Sequence, residues 1–381
     1  RLVCYLTGTR ADFGLMRSTL ERIASDRTLK LRLIVTGMHL AVRHGRTERE
    51  VARAGFDIAA RVPYLPAQDS GAASARALGT ALTRLTAALE RAAPDVLLLL
   101  GDRGETLAGA LAAAHLNIPI AHVHGGDVSG TLDEGFRHCV TKLAHLHLAA
   151  TRDSARRIRR MGEPPELIRV VGAPGLDAII SAPPKPDPRL AARWGLDPGK
   201  PYLILAQHPV HQSHFESGAQ MRETLRAVAS SGLQALVIGP NSDAGNRAIL
   251  RAARVARAGG ASLSIQADVP RSDFLVLLAG AAAIVGNSSA GIIEAASLGI
   301  PAVNVGSRQD GRERNANVLD VPHSSRAIEA ALEKAVRDSS FRRVVARRRN
   351  VYGDGSAGFR IAQALRRLRL TPALLGKRFR E

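Results

Sequence analysis

Gly286-Asn287-Ser288-Ser289-Ala290-Gly291-Ile292-Ile293-Glu294-Ala295 is the stretch on which the reading of the chain turns. The apolar run 281–285 before it predicts a buried strand, the small polar residues a tight turn, and 291–298 a helix whose N-terminus faces out of the sheet. Unpaired backbone N–H groups and the positive end of a helix dipole converge at such a turn. It therefore suits a phosphate, with the Ser288 and Ser289 hydroxyls as extra donors and the bare Gly291 leaving room for close approach. Glu294, one turn in, is wrong in charge for a phosphate but right for a pair of sugar hydroxyls. An ordinary capped helix is the alternative, since Ser and Asn favour that position anyway. The run Gly306-Ser307-Arg308-Gln309-Asp310-Gly311-Arg312-Glu313 close behind supplies cations and tilts the choice toward a nucleotide-diphosphate cradle.

Outward from this stretch, 381 residues are too many for one ordinary core and fit two α/β domains with a cleft between them. A hydrophobic content of 45% with 23% charged residues excludes a disordered chain. No apolar run approaches the length of a membrane span and the first residues read as a strand, so a cytoplasmic location without membrane association is expected. Cys4 and Cys139 are too few for a disulfide framework or a thiolate metal site, and both are expected to be buried thiols. The net charge of +19 is partly local, with 13 Lys+Arg against 3 Asp+Glu in residues 337–381. An aromatic content of 3% argues against a stacking platform for nucleic acid, and the arginines read mainly as solvated helix faces.

The βα alternation starts at residues 2–7, which end in Gly8-Thr9-Arg10 with Arg10 placed to reach an anion, and lacks the three-glycine dinucleotide fingerprint. Residues 74–92 read as a helix capped by Ser74 and stopped before Pro94. The run 95–100 is a buried parallel strand leading to Gly101-Asp102-Arg103-Gly104-Glu105, so a carboxylate and a guanidinium stand where open α/β sheets place ligands. Residues 119–123 run into His122-Val123-His124-Gly125-Gly126-Asp127. Alternation would put both histidines on one face, yet no third ligand at motif spacing supports a metal. Asp127, Asp133, Glu134 and His138 crowd the next loop and helix, a density of titratable groups more typical of a site than of a surface. His145 and His147 read as structural residues at a strand edge. A Pro-rich linker, 182–188, precedes a second alternation with strands at 202–206, 236–239, 281–285 and 301–305, and helices close the chain at 326–336 and 356–370.

Gly101-Asp102-Arg103, His122-Val123-His124-Gly125-Gly126, Asp133-Glu134 with Arg137-His138, Gly286-Asn287-Ser288-Ser289, the Gly306–Glu313 run and Tyr352-Gly353-Asp354-Gly355-Ser356 together resemble the UDP-N-acetylglucosamine 2-epimerase family, hydrolysing branch. The match runs almost end to end. The resemblance implies two doubly wound Rossmann-like domains facing a cleft, GT-B-like: 1–180 with the sugar and the catalytic carboxylates, 181–355 with UDP, and 356–381 a helix packing back on the first domain. It implies a reaction without metal or cofactor in which the C2 proton is removed, UDP leaves C1, and water adds to the resulting 2-acetamidoglucal, giving UDP and N-acetylmannosamine. Asp102, Asp133 and Glu134 resemble the family's catalytic carboxylates, and His208 a residue near the leaving phosphate. Arg10, Arg103, Ser288, Ser289, Glu294, Arg308 and Arg312 match uridine-diphosphate contacts, with Gly291 and Arg137 counted among the substrate-binding positions. Arg103 and His124 favour the hydrolysing branch over relatives that only epimerise. The animal hydrolysing enzymes carry Glu where His124 stands, which leaves that role open between His124 and Asp127.

The substrate implied first is UDP-N-acetylglucosamine. The same reaction on a UDP-2,4-diacetamido-2,4,6-trideoxy sugar, as in legionaminic acid assembly, is the alternative, and a GT-B glycosyltransferase or a basic nucleic-acid binder are more distant ones. The expected partners are a UDP-sugar and further copies of the chain, as a homodimer or homotetramer.

Overall fold

Continuous apolar runs such as 96–99 and 203–205 offer water no polar face, and both lie in inner strands of parallel sheets with helices on each side. The structure, a computed structural model, describes residues 1–42, 45–66, 68, 70–130, 132–240 and 243–377. Among these the chain forms two units. One gathers Arg1–Val128, Leu132–Asp177 and the chain from Tyr352 on; the other holds Ala178–Val351 with Ser129 and Gly130.

In the first unit β1 (Leu2–Thr7), β2 (Lys30–Thr36), β3 (Ile58–Val62), β4 (Val96–Leu100), β5 (Ile120–Val123), β6 (Leu146–Ala149) and β7 (Ile168–Val170) form a parallel sheet in the order β3-β2-β1-β4-β5-β6-β7. The two-residue period of the strands builds two cores. Val3, Tyr5, Leu33 and Leu98 face Phe13, Met16 and Leu20 of the helix Arg10–Ser25, together with Ile361 and Leu365 of the helix Ala357–Arg367. Cys4, Leu6, Ile34, Leu97 and Leu99 face Leu85 and Leu89 of the helix Gly71–Ala92 and Ala108 and Ala112 of the helix Gly104–His115. Burial is worth about 1.5–3 kcal/mol for a side chain such as Ile361 or Leu365, enough to tie the closing helix to this unit. Its N-terminus is fixed by the Asp177 carboxylate, which accepts from the Ala357 and Gly358 amides at 3.0 and 2.7 Å.

In the second unit β8 (Tyr202–Ala206), β9 (Gln234–Ile238), β10 (Leu263–Gln266), β11 (Ala283–Gly286), β12 (Ala302–Val305) and β13 (Val318–Val321) are parallel in the order β10-β9-β8-β11-β12-β13. Leu203, Leu205, Val237, Val285 and Val303 share a core with Met221, Leu225, Ile249, Ile328 and Leu332 from its helices. Each unit is thus the doubly wound, Rossmann-like α/β arrangement expected.

Several local expectations change. The edge strands β10 and β13 had no apolar run to announce them, because each is half-buried for most of its length. The helix expected from Ser74 starts at Gly71, with the Ser70 hydroxyl accepting from the Ala73 amide at 3.2 Å. The single helix expected over 291–298 is two short ones, Ser289–Ile292 and Glu294–Leu298. The closing helix is shorter than expected, and residues 378–381 of the segment assigned to it lie outside the described ones. Cys4 is buried, but Cys139 is exposed, a correction to the pair of buried thiols. His147 lies within β6, an inner strand, with no exposure, and not at the strand's edge. Among the described residues no helix is long and apolar enough to cross a membrane.

Candidate active site

Ligands of open parallel sheets bind where the strand order reverses, beyond the C-terminal ends of the strands. In the second unit that point lies between β8 and β11. Gly286 ends β11 at φ +125°, and a Cβ there would collide with the Ala206 carbonyl at the end of β8, so only glycine lets the two strand ends approach this closely. Asn287 then binds the neighbouring turn in both directions: its Oδ1 accepts from the His208 amide at 2.7 Å and its Nδ2 donates to the His208 carbonyl at 2.8 Å. The Asn287 carbonyl accepts from Arg308 Nη1 at 3.3 Å and Gln309 Nε2 at 2.9 Å, bringing the arginine run to the same turn. Arg312 follows at once, its amide donating to the Gln309 carbonyl at 3.2 Å. His208, Arg308 and Arg312 are half-buried here.

Ser288 caps the helix beginning at Ser289, its hydroxyl accepting from the Ala290 amide at 3.4 Å. A side chain at Gly291 would press on Ala302 Cβ at 3.3 Å and Ile284 Cγ2 at 3.4 Å, so the glycine lets the helix seat on the sheet. Glu294 is buried and its Oε1 accepts from Arg271 Nη1 at 3.1 Å. Arg271 escaped the sequence reading because nothing local marks a partner 23 residues away.

In the first unit the order reverses between β1 and β4. β4 leads into Asp102, whose Oδ2 is held by Arg137 Nη2. Arg137, expected to touch substrate, is only 2% exposed, and its Nη1 donates to the Asp127 carbonyl at 2.8 Å. Burial lowers the Arg137 pKa, but the nearby Asp102 and Asp127 carboxylates, with Asp133 adding to them, more than offset this and raise it. One buried guanidinium therefore ties Asp102 to the Asp127 backbone, with the Asp133 charge acting on it from nearby. Asp127 in turn accepts from Ser154 Oγ at 2.7 Å and lies 3.0 Å from His124 Nδ1, while Asp102 stays 23% exposed. Glu134 lies 3.5 Å from His138 Nε2 on the same helix. Arg10 forms an ion pair with Glu50 at 2.5 Å, and Arg103 Nε donates to Glu105 at 3.1 Å.

The expected alternation of His122 and His124 fails, because His124 leaves the strand at φ +64°. His122 stays inside, its Nε2 2.7 Å from the Gly101 carbonyl and its Nδ1 3.2 Å from Thr141 Oγ1, with burial pushing its pKa down to about 3. Among the described residues no three His, Cys, Asp or Glu side chains gather as a metal site.

Two Rossmann-like units of this kind make a GT-B-like fold. The crystal structure of a UDP-GlcNAc 2-epimerase from Neisseria meningitidis bound to UDP-GlcNAc overlays with a TM-score of 0.81 at 18% identity, covering 96% of this chain and 99% of that one. A family model described as UDP-N-acetylglucosamine 2-epimerase matches residues 21–366. The chain is 41% identical to a hydrolysing UDP-N,N'-diacetylbacillosamine 2-epimerase from Legionella pneumophila, over 99% of this chain and 98% of that one. It is 34% identical to a UDP-N-acetylglucosamine 2-epimerase from Neisseria meningitidis, over 88% and 87%. The chain belongs to the UDP-N-acetylglucosamine 2-epimerase family, and by these relatives to its hydrolysing branch. It is an enzyme acting on a nucleotide sugar, and the glycosyltransferase alternative draws no support from them.

Proposed function

We propose that the chain hydrolyses a UDP-2-acetamido sugar with inversion at C2, and that its preferred substrate is UDP-N,N'-diacetylbacillosamine, a 2,4-diacetamido-2,4,6-trideoxy sugar nucleotide. This reverses the order of the two substrates in the sequence reading. What favours it is the 41% identity, across nearly the whole of both chains, to the Legionella pneumophila enzyme named for that substrate. UDP-N-acetylglucosamine stays as the second reading because of the 34% identity to the Neisseria meningitidis enzyme.

The observation that carries the chemistry is the buried Arg137 clamp on Asp102. A C2–H is a weak acid, so the base must be held at a fixed place and a second group must return a proton from the other face. Asp102, kept partly exposed by an otherwise buried partner, has that fixity, and Asp133 and Glu134 are the companion carboxylates. Removal of the C2 proton with departure of UDP from C1 leaves a 2-acetamidoglucal; water adds to C1 and a proton to C2, releasing the 2-epimeric free sugar. Departure of the diphosphate calls for fixed donors, a role assigned to Ser288, Ser289, Arg308 and Arg312 with His208, while Glu294 takes the ribose hydroxyls.

Incubation of the pure protein with each UDP-sugar in D2O tests this. The expected result is UDP and a free sugar carrying one deuteron at C2, with kcat/KM for the diacetamido substrate at least about ten-fold the higher. Epimerised sugar still attached to UDP would rule out the hydrolytic course, and faster turnover of UDP-N-acetylglucosamine would restore the other substrate.

A further inference from the structure

Parallel neighbours in a sheet are joined by a long crossover, usually a helix whose backbone satisfies itself. Residues 306–317, between the parallel neighbours β12 and β13, form no helix, so their backbone groups must find other partners. They also carry Arg308 and Arg312, to which the functional reading gives the diphosphate. Two backbone bonds close the turn, Asp310 N–H to the Ser307 carbonyl at 2.9 Å and Arg312 N–H to the Gln309 carbonyl at 3.2 Å. A further hold comes from a side chain that the functional reading leaves unused. Arg314 Nη1 donates to the Gln309 carbonyl at 2.8 Å and to the Arg312 carbonyl at 2.7 Å. Nε and Nη2 of the same guanidinium grip the Asp320 carboxylate on β13, at 3.0 and 2.9 Å. Asp320 is anchored in turn to β12, with Asn304 Nδ2 donating to its Oδ1 at 2.7 Å. On the other side of the turn Gln309 Nε2 reaches the Asn287 carbonyl at 2.9 Å, next to Ser288. One chain of bonds thus runs from two strands through Arg314 to the turn and on to the cradle.

We propose that Arg314 is a positioning residue: clamped by Asp320, it fixes the backbone from Gln309 to Arg312 and so holds the diphosphate-binding turn beside Ser288. The proposal deepens the functional reading and rests on it. The two side chains of the clamp are 25% and 52% exposed, and an ion pair so exposed adds little to stability. Its geometry carries the effect. A planar guanidinium meets a carboxylate along one edge and two carbonyls with its remaining nitrogen, whereas an ammonium gathers its donors at one point and cannot span both. A turn ordered before UDP arrives spares binding the cost of ordering it, and donors already in place serve the departing diphosphate as well.

Arg314→Lys keeps the charge and gives up the fork. Calorimetry is expected to show a UDP dissociation constant about ten-fold higher, with kcat/KM lowered by at least about as much and the melting temperature nearly unchanged. Arg314→Met should behave like Arg314→Lys, because both lose the geometry. A lysine variant that binds UDP as tightly as wild type shows that the charge alone suffices or that nothing at this position is needed, and overturns the proposal. Asp320→Asn weakens the clamp and is expected to raise the UDP dissociation constant by about three-fold, yet to add nothing in an Arg314→Met background, because the two residues act as one unit. Effects of those two substitutions that simply multiply count against it. Should Arg314→Lys not fold, Asp320→Asn alone decides, and unaltered UDP binding in that variant overturns the proposal. Wild-type protein that binds no UDP overturns the functional reading along with this one, whereas normal wild-type binding with an indifferent Arg314→Lys overturns this one alone.

Discussion

At the scale of single residues the chemistry is concentrated on a carboxylate that is held, not free. Asp102 is partly exposed while the Arg137 that holds it is buried and also tied to the Asp127 carbonyl. Asp102→Asn keeps the shape and a hydrogen bond to Arg137 but cannot take the C2 proton. Turnover is expected to fall by about 10²–10⁴-fold, the usual share of general acid–base catalysis, with the UDP dissociation constant nearly unchanged. Full activity in that variant would remove Asp102 from the mechanism. Arg137→Met removes the guanidinium that holds Asp102 and the Asp127 carbonyl, so chemical denaturation is expected to show about 3 kcal/mol less stability, the low end of the cost of removing one partner of a buried pair because Asp102 is partly exposed. Asp102 was legible in the sequence because Gly101-Asp102-Arg103 follows an apolar strand. The burial of Arg137 was not, since its partners lie 10 and 35 residues away and only folding assembles them.

At the scale of elements, the cradle around Ser288 depends on an interrupted helix. The stretch 289–298 breaks at Ile293, whose φ of −93° and ψ of −63° lie at the margin of the right-handed helical region, away from the ideal helix. The break leaves carbonyls to be satisfied, and asparagines satisfy them. Asn317 Nδ2 donates to Gly291 and Ile300 at 3.0 Å each, Asn315 Nδ2 to Ile292 at 2.9 Å and Asn350 Nδ2 to Ile293 at 2.7 Å. Asn317→Ala leaves two buried carbonyls unpaired, at about 1–3 kcal/mol for each group so stranded. Thermal unfolding is expected to come several degrees earlier, and UDP binding to weaken because the short helix bearing Ser289 loses its support. A melting temperature equal to wild type would mean that water or a backbone shift replaces the amide. The strand, turn and helix order was legible from residue types. The interruption was not, because the apolar and small residues 290–296 suit a continuous helix and the asparagines that stabilise the break come 22 or more residues later.

At the scale of the whole molecule, the buried histidines among the described residues lie in the first unit, while in the second the half-buried His323 is lowered by burial too, and this predicts how acid acts on the protein. Burial pushes His122 down to about 3 and His39 to about 4, and lowers His145 and His147 in the same direction, all in the first unit. Each is neutral when folded, whereas an unfolded histidine takes up a proton near pH 6.5, so as pH falls from 6.5 toward 4 the unfolded chain binds protons that the folded one refuses. Stability is therefore lost in that window. Asp12 acts in the opposite sense: burial raises it from 3.8 to about 6, so the folded unit binds a proton there that the unfolded chain does not. With His39 and His122 against Asp12 the balance is about one proton, or about 1.4 kcal/mol of stability per pH unit, and His145 and His147 add to the loss. The doubly wound architecture was legible from the apolar runs; this asymmetry was not, because His122 and His147 look like site candidates or edge residues until their strands are seen inside the sheet. Hydrogen exchange at pH 7 and pH 4.5 checks it: the amides of β5 and β6 should lose protection in acid sooner than those of β11 and β12, and His122→Gln should flatten the fall. Equal loss in both units, or a stability that does not change between pH 6.5 and 4.5, would show that these histidines are protonated in the folded chain after all.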